Sequence, residues 1–180
     1  MFTCPLNADA CLKPLEIRHA TDIYNLIDSN RQHLRRWLPF IDKTRHVIDS
    51  EVFVRAVQNQ FILDGSITAG IWYKKEMAGI IGMHSINWQN RATTIGYWLG
   101  EKFQGKGLVT LSVRKFLDYS FRDLNLCRVE IKAGTKNSRS RAVAERLSFR
   151  HEGTLRDAEW LYDRFTDLEV YAILKNDWIG

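Results

Sequence analysis

One segment of this 180-residue chain restricts its fold more than any other: a strand-like run enters two closely spaced glycines, and a helix opens at once. It reads Gly96-Tyr97-Trp98-Leu99-Gly100-Glu101-Lys102-Phe103-Gln104-Gly105-Lys106-Gly107-Leu108-Val109. Glycine has no Cβ, so the backbone at 105 and 107 can turn its N–H groups inward. The first-turn N–H groups of the following helix have no intrahelical partner, and the helix dipole stands behind them. Together they can form an anion site, with Lys106 adding charge at its rim, although the Gly-x-Gly alone favours a plain strand–turn–helix connection. Two common anion loops are excluded. A dinucleotide fingerprint needs a third glycine and an acidic residue about 20 positions on, and both are missing. A nucleotide P-loop needs four residues between its glycines and Ser or Thr after Gly-Lys, and neither condition is met.

The flanking pattern predicts the rest of the architecture. Residues 12–18 read as a first strand, broken by Pro14 as suits an edge. From Thr21, apolar residues at helical spacing (Ile23, Leu26, Ile27) predict a helix, and a short second helix with Leu34 and Trp37 stops at Pro39. Val52, Phe53, Ala56, Val57, Gln60 and Phe61 form one stripe of a longer helix that Asp49 or Ser50 can cap. Three strands, 67–73, 77–86 and 93–99, follow without an intervening helix, which predicts an antiparallel meander. A helix over 108–122 comes next, then a strand at 128–133, a helix at 138–147, and strands at 149–156 and 167–174. The last strand is expected to turn Leu168, Val170, Ala172 and Leu174 inward. One mixed sheet with helices on its faces is the expected α/β (α+β) fold, in a single domain over 1–180.

Composition bounds function only loosely. With 45% hydrophobic and 26% charged residues, the chain can build its own core, which excludes disorder. The net charge is 26 − 21 = +5, a modest basic excess that does not by itself indicate nucleic acid. Cys4, Cys11 and Cys127 are an odd set without metal-ligand spacing, so no disulfide framework or metal is expected. No secretory leader or membrane span is visible, and a cytoplasmic location is the expectation.

The glycine loop and its surroundings resemble the GNAT superfamily of N-acetyltransferases. Gln104-Gly105-Lys106-Gly107 after Tyr97-Trp98-Leu99 is similar to that family's acyl-coenzyme-A loop. The run Asn137-Ser138-Arg139-Ser140-Arg141-Ala142-Val143-Ala144-Glu145-Arg146-Leu147-Ser148-Phe149 is similar to its next helix and strand. With Trp37-Leu38-Pro39-Phe40 and Asp167-Leu168-Glu169-Val170-Tyr171, the resemblance spans nearly the whole chain. It is nearest to bacterial enzymes that acetylate the N-termini (alanine or serine) of ribosomal proteins. Two departures stand out: Val109 where the loop usually ends in Ala or Gly, and Leu147-Ser148-Phe149 where Leu-Gly-Phe is usual.

The resemblance implies acetyl-CoA as co-substrate, with its pantetheine arm between splayed strands and no metal. It implies that Trp98, Leu99 and Gly100 bond the arm through their backbones. Residues Gln104, Gly105, Lys106, Gly107, Leu108 and Val109, with Thr110, hold the pyrophosphate. Asn137 contacts the coenzyme, and the Ser140 hydroxyl sits near the sulfur, where it donates to the departing thiolate. Spacing alone also fits a capping Asn followed by a surface Ser. Glu159 is the expected base, with Glu101 and Glu152 behind it; a solvated loop carboxylate is the other reading of Glu159. His84 reads as a packed or surface histidine, and direct attack by the amine fits better than a covalent relay through Cys127. Trp37, Tyr97 and Trp160, with Phe40 nearby, are the expected acceptor contacts. An α-amine, with a pKa of about 7.8, is already partly neutral at pH 7, whereas a lysine near 10.4 starts roughly 3.5 kcal/mol worse. A weak carboxylate base therefore suits an N-terminal acceptor. A polyamine or aminoglycoside acceptor, or a non-catalytic coenzyme-binding module, are the competing readings. By analogy with relatives that pair through their final strands, a homodimer is possible. Neither a membrane nor nucleic acid is expected as a partner.

Overall fold

The computed structural model describes residues 3–179. Its elements are β1 (Cys4–Pro5), β2 (Ala10–Pro14), α1 (Ala20–Asp28), α2 (Arg31–Leu34), α3 (Val47–Asp64), β3 (Thr68–Tyr73), β4 (Glu76–Met83), β5 (Ala92–Leu99), α4 (Leu108–Asp118), β6 (Arg128–Gly134), α5 (Ser138–Arg146), β7 (Arg150–Leu161) and β8 (Arg164–Leu174). The strands form one mixed, mostly antiparallel sheet in the order β1-β2-β3-β4-β5-β6-β8-β7. Contacts cluster into two compact units. One runs up to Gly82 and includes Tyr97–Ser112; the other combines Met83–Gly96 with the chain from Val113 on. Among the described residues no helix is long and apolar enough to cross a membrane.

In the first unit β1 to β4 pair antiparallel in chain order. The first strand proper covers Ala10–Pro14, and the expected continuation to residue 18 is instead a 3-10 turn at Ile17–His19. Proline ends the ladder there because it has no N–H to donate. Helix α1 buries Ile23, Leu26 and Ile27 as its spacing predicts. Helix α3 corrects the sequence reading. It starts earlier, at Val47, after His46 as N-cap. Asp49 serves at its third position, accepting the N–H groups of Arg45 and His46 at 2.8 Å each. Its buried residues are Ser50 and Val54, whereas Val52, Phe53 and Phe61 from the expected stripe are exposed. Periodicity finds an apolar stripe but cannot say whether that stripe or its neighbour meets the core.

Strand β4 carries one extra residue. Gly79 stands opposite Ile71 and Met77 opposite Trp72, which leaves Ala78 as a bulge. The Ala78 carbonyl accepts the N–H of Gly100 at 2.9 Å, tying the bulge to the residue after β5. Gly79 lies so close to β5 that a Cβ there would sit 2.1 Å from the Trp98 carbonyl oxygen and 2.9 Å from Leu99 Cα.

In the second unit β5 runs parallel to β6, β6 antiparallel to β8, and β8 antiparallel to β7. The parallel ladder stops after Ala92–Thr94 meets Arg128–Glu130, although β6 continues to Gly134. Helix α4 presents Val113, Phe116 and Leu117 to the core, and a π turn at Tyr119–Asp123 adds Phe121. Strand β8 corrects a second expectation. Its buried positions are Glu169, Tyr171, Ala172 and Ile173, and Leu174 is exposed. The polar residues are accommodated by bonding: the Glu169 carboxylate accepts Thr154 Oγ1 at 2.9 Å and pairs with His151, and Tyr171 Oη accepts Arg141 Nε at 3.0 Å. The β7–β8 hairpin is also longer than expected. Register shifts at 151–153 and 155–159 interrupt its ladder, so residues expected in a loop lie within β7.

Candidate active site

The glycine loop takes the form its sequence requires. A 3-10 turn at Glu101–Phe103 follows β5, and α4 opens at Leu108. Gly105 and Gly107 have φ of 73° and 71°, the left-handed region that glycine enters without a Cβ penalty. A Cβ at either position would meet nothing within 4 Å, so conformation, not protein crowding, demands glycine here. Among the described residues, the N–H groups of residues 105–110 meet no backbone carbonyl of the protein. The preceding Gln104 N–H goes to Glu101 O at 3.2 Å. A row of free donors at the start of an 11-residue helix suits a diphosphate. Lys106 is exposed beside them, its ammonium 5.6 Å from the Tyr73 ring centroid. Val109 and Thr110 are half-buried in the first turn of α4, and Leu108 is fully packed.

Tyr97, Trp98 and Leu99 end β5 half-buried. Gly100 has both backbone groups engaged: its N–H donates to Ala78 O, and its carbonyl accepts Phe103 N–H at 3.0 Å. It sets the turn into the loop. Leu26 and Asn30 crowd it, since a Cβ on Gly100 would lie 2.8 Å from Leu26 Cδ1. Trp37, in the same unit, is half-buried just after α2, and Phe40 beside it is exposed. The Arg31 guanidinium braces this segment, donating to Ile41 O at 3.0 Å and Thr44 O at 2.7 Å, while Arg35 pairs with Asp42 at 3.0 Å.

The second unit holds the remaining expected residues. Asn137 is the N-cap of α5, its side-chain oxygen accepting the Ser140 N–H at 3.2 Å. The capping geometry that spacing allowed is therefore present, and it holds the half-buried Ser140 in the first turn. Glu159 lies in β7 opposite Thr166, just past the irregular stretch. It is half-buried, and this desolvation raises its carboxyl pKa above the ordinary value. Glu152, a weaker contender for the base, is held by the Arg128 guanidinium at 2.9 Å, which pushes its pKa down. Glu101 is exposed on the 3-10 turn in the first unit. Trp160 packs edge-on against Phe165 with ring centroids 4.8 Å apart, and both remain exposed near the hairpin end.

Two residues were invisible to sequence reasoning. Asn30 Oδ1 accepts the Glu101 N–H at 2.8 Å, and His33 Nε2 lies 2.8 Å from Gln104 Nε2. Each pair is 71 positions apart, so no local pattern points to it.

A mixed sheet whose strand–glycine–helix turn leaves N–H donors open at the start of a helix suits a phosphate-bearing ligand. The acetyltransferase (GNAT) domain model matches residues 9–150, and the chain belongs to that family of N-acetyltransferases. It is 36% identical over 181 residues to YdaF of Bacillus subtilis (strain 168), covering 100% of this chain and 99% of YdaF. It is 30% identical over 162 residues to the ribosomal-protein-serine acetyltransferase of Escherichia coli (strain K12), covering 86% of each. Among solved structures, RimL, a ribosomal L7/L12 α-N-protein acetyltransferase in complex with coenzyme A, superposes with a TM-score of 0.92. That match has 26% identity and covers 96% of this chain and 98% of RimL.

Proposed function

We propose that this enzyme transfers the acetyl group of acetyl-CoA directly to the free α-amine of a protein N-terminus, with a ribosomal protein as acceptor and the cytoplasm as its place of action. The observation that carries the coenzyme part is the row of uncommitted N–H groups from 105 to 110 at the head of α4. They hold the pyrophosphate, with Gln104, Gly105, Lys106, Gly107, Leu108, Val109 and Thr110 as the cradle. Backbone groups of Trp98 and Leu99 take the pantetheine amides, and Gly100 sets the turn. Asn137 orders the start of α5, and the Ser140 hydroxyl donates to the leaving sulfur. Trp37, Tyr97 and Trp160 contact the acceptor.

In this scheme the amine nitrogen forms a bond to the thioester carbon, the C–S bond breaks, and the amine proton passes to Glu159 directly or through water. Oxyanion charge at the carbonyl is met by a backbone N–H at the end of β5. Two features support an N-terminal acceptor: the names of two of the relatives reported above, and a proposed base that is a carboxylate of raised pKa, adequate for an amine already partly neutral at pH 7.

The test is thiol release from acetyl-CoA against peptides beginning with Ser, Ala or Met, a lysine peptide, spermidine and an aminoglycoside. Turnover with peptide N-termini is expected. Turnover with the small amines alone refutes the acceptor assignment. Ser140→Ala is expected to lower kcat about tenfold or more, since a donor to a developing anion acts mainly in the transition state. Its acetyl-CoA affinity should stay within about twofold, as no ground-state contact is lost. Equal loss of both would make Ser140 a binding residue.

A further inference from the structure

We infer that His33 is a positioning residue for acetyl-CoA, acting through the Gln104 side chain to latch the coenzyme loop onto the α1–α2 segment. The inference rests on the acetyl-CoA reading of that loop. The contact is specific. The His33 ring nitrogen Nε2 lies 2.8 Å from Gln104 Nε2, within hydrogen-bond reach of the carboxamide. It is also one of three attachments along the same stretch. Leu26 and Asn30 pack close to Gly100, where a Cβ would lie 2.8 Å from Leu26 Cδ1 and 3.3 Å from Asn30 Nδ2. Asn30 Oδ1 takes the Glu101 N–H at 2.8 Å, while its Nδ2 donates to Leu26 O at 2.9 Å and so has its own orientation fixed. His33 then takes Gln104, the last residue before the glycines. The three contacts fall in order along the segment, at 100, 101 and 104.

The stretch beyond needs such a latch. Gly105, Lys106 and Gly107 are exposed, and two of the three are glycines, which lose the most backbone entropy on ordering. An anchor at Gln104 shortens the free loop and pre-orders its N–H groups, so less freedom is lost when a diphosphate binds. The other end of the segment is equally tied down. Arg31, two residues before His33, grips the carbonyls of Ile41 and Thr44. The stretch carrying Trp37 and Phe40 is thus braced on one side by Arg31 and joined to the coenzyme loop on the other. Any acceptor that orders Trp37 would also favour the loop's binding conformation, and this coupling is necessarily reciprocal.

Calorimetry of coenzyme A with the intact protein tests this, together with steady-state kinetics. Wild type must bind coenzyme A; failure there refutes the acetyl-CoA reading itself and not the latch. His33→Ala is expected to weaken binding and raise the KM for acetyl-CoA about fivefold, the worth of one side-chain hydrogen bond, with kcat within about twofold. His33→Gln, which restores an acceptor at similar reach, should recover most of the loss. In a Gln104→Ala background, His33→Ala should add nothing, because its partner is gone. Unchanged affinity in His33→Ala overturns the proposal, as does a full fivefold loss persisting without Gln104. A fall in kcat and melting temperature with KM unaltered would make His33 a packing residue. Should His33→Ala fail to fold, His33→Gln and Gln104→Ala decide the question between them.

Discussion

Glu159→Gln is expected to cost about a hundredfold in kcat and, at the same time, to make the protein slightly more stable at neutral pH. A positioned base contributes roughly 10²–10⁴-fold, and the lower end applies to an acceptor that is partly neutral beforehand. The stability change follows from the raised pKa of the half-buried carboxyl, whose cause is desolvation. Its folded value lies above its unfolded value, so the folded chain holds the proton more tightly. Below the ordinary carboxylate pKa both states are protonated, and the site costs nothing. Above the raised pKa both are ionised, and the charge is worse solvated in the folded state, a penalty that Gln removes. Partial exposure keeps the gain small, of order a degree or two in Tm. The gain should vanish in acid.

Activity has its own sign. Under the proposed role the Glu159 carboxylate must be ionised, so kcat/KM in wild type is expected to fall as pH drops through the raised pKa, on a limb displaced upward from that of an exposed carboxylate. Glu159→Gln should lack this limb. A pH–rate profile identical to wild type, or a variant of full activity, removes Glu159 from the role.

Gly79→Ala carries the largest expected stability loss, about 3 kcal/mol or more. The ideal Cβ would fall 2.1 Å from the Trp98 carbonyl oxygen and 2.9 Å from Leu99 Cα. Both are backbone atoms, which cannot rotate aside as a side chain can. Moving them means opening β4 from β5 at the Ala78 bulge and breaking the bond from Gly100 N–H to Ala78 O. For a domain of this length the loss corresponds to roughly a 10 °C fall in Tm, measurable by thermal denaturation. Whatever remains folded should bind coenzyme A poorly, because the displaced atoms belong to the end of β5 that leads into the loop. A melting temperature within about 2 °C of wild type would show that the two strands separate at little cost.

Much of the architecture was legible because it depends on neighbours in the chain. The β3–β4 hairpin, the helical spacing of Ile23, Leu26 and Ile27, and the Asn137 cap all arise between close neighbours in the chain. The errors share a cause. Val52 and Phe61 on α3, and Leu174 on β8, were expected to face inward and lie exposed, while Ser50 and Glu169 are buried. In a strand, a one-residue change of register reverses every side chain, and on β7 the shifts at His151–Gly153 and Leu155–Glu159 break the alternation that a pattern reading assumes. Burial of Ser50 and Glu169 also runs against composition. Glu169 is explained by its bonds to Thr154 and His151, which no local pattern announces.

The sequence alone determined the turn at Gly105 and Gly107, the order of strands and helices around it, and thereby the family and its coenzyme. Positive φ, helix initiation and capping are decided by a residue and its close neighbours, so they can be read from the chain. The tertiary structure decided which faces of α3 and β8 are buried, why Glu159 and not Glu152 has a raised pKa, and that Asn30 and His33 meet Glu101 and Gln104. Those outcomes depend on desolvation and on partners far away in the chain, 71 residues away for the loop contacts, and only the folded arrangement brings such groups within bonding distance.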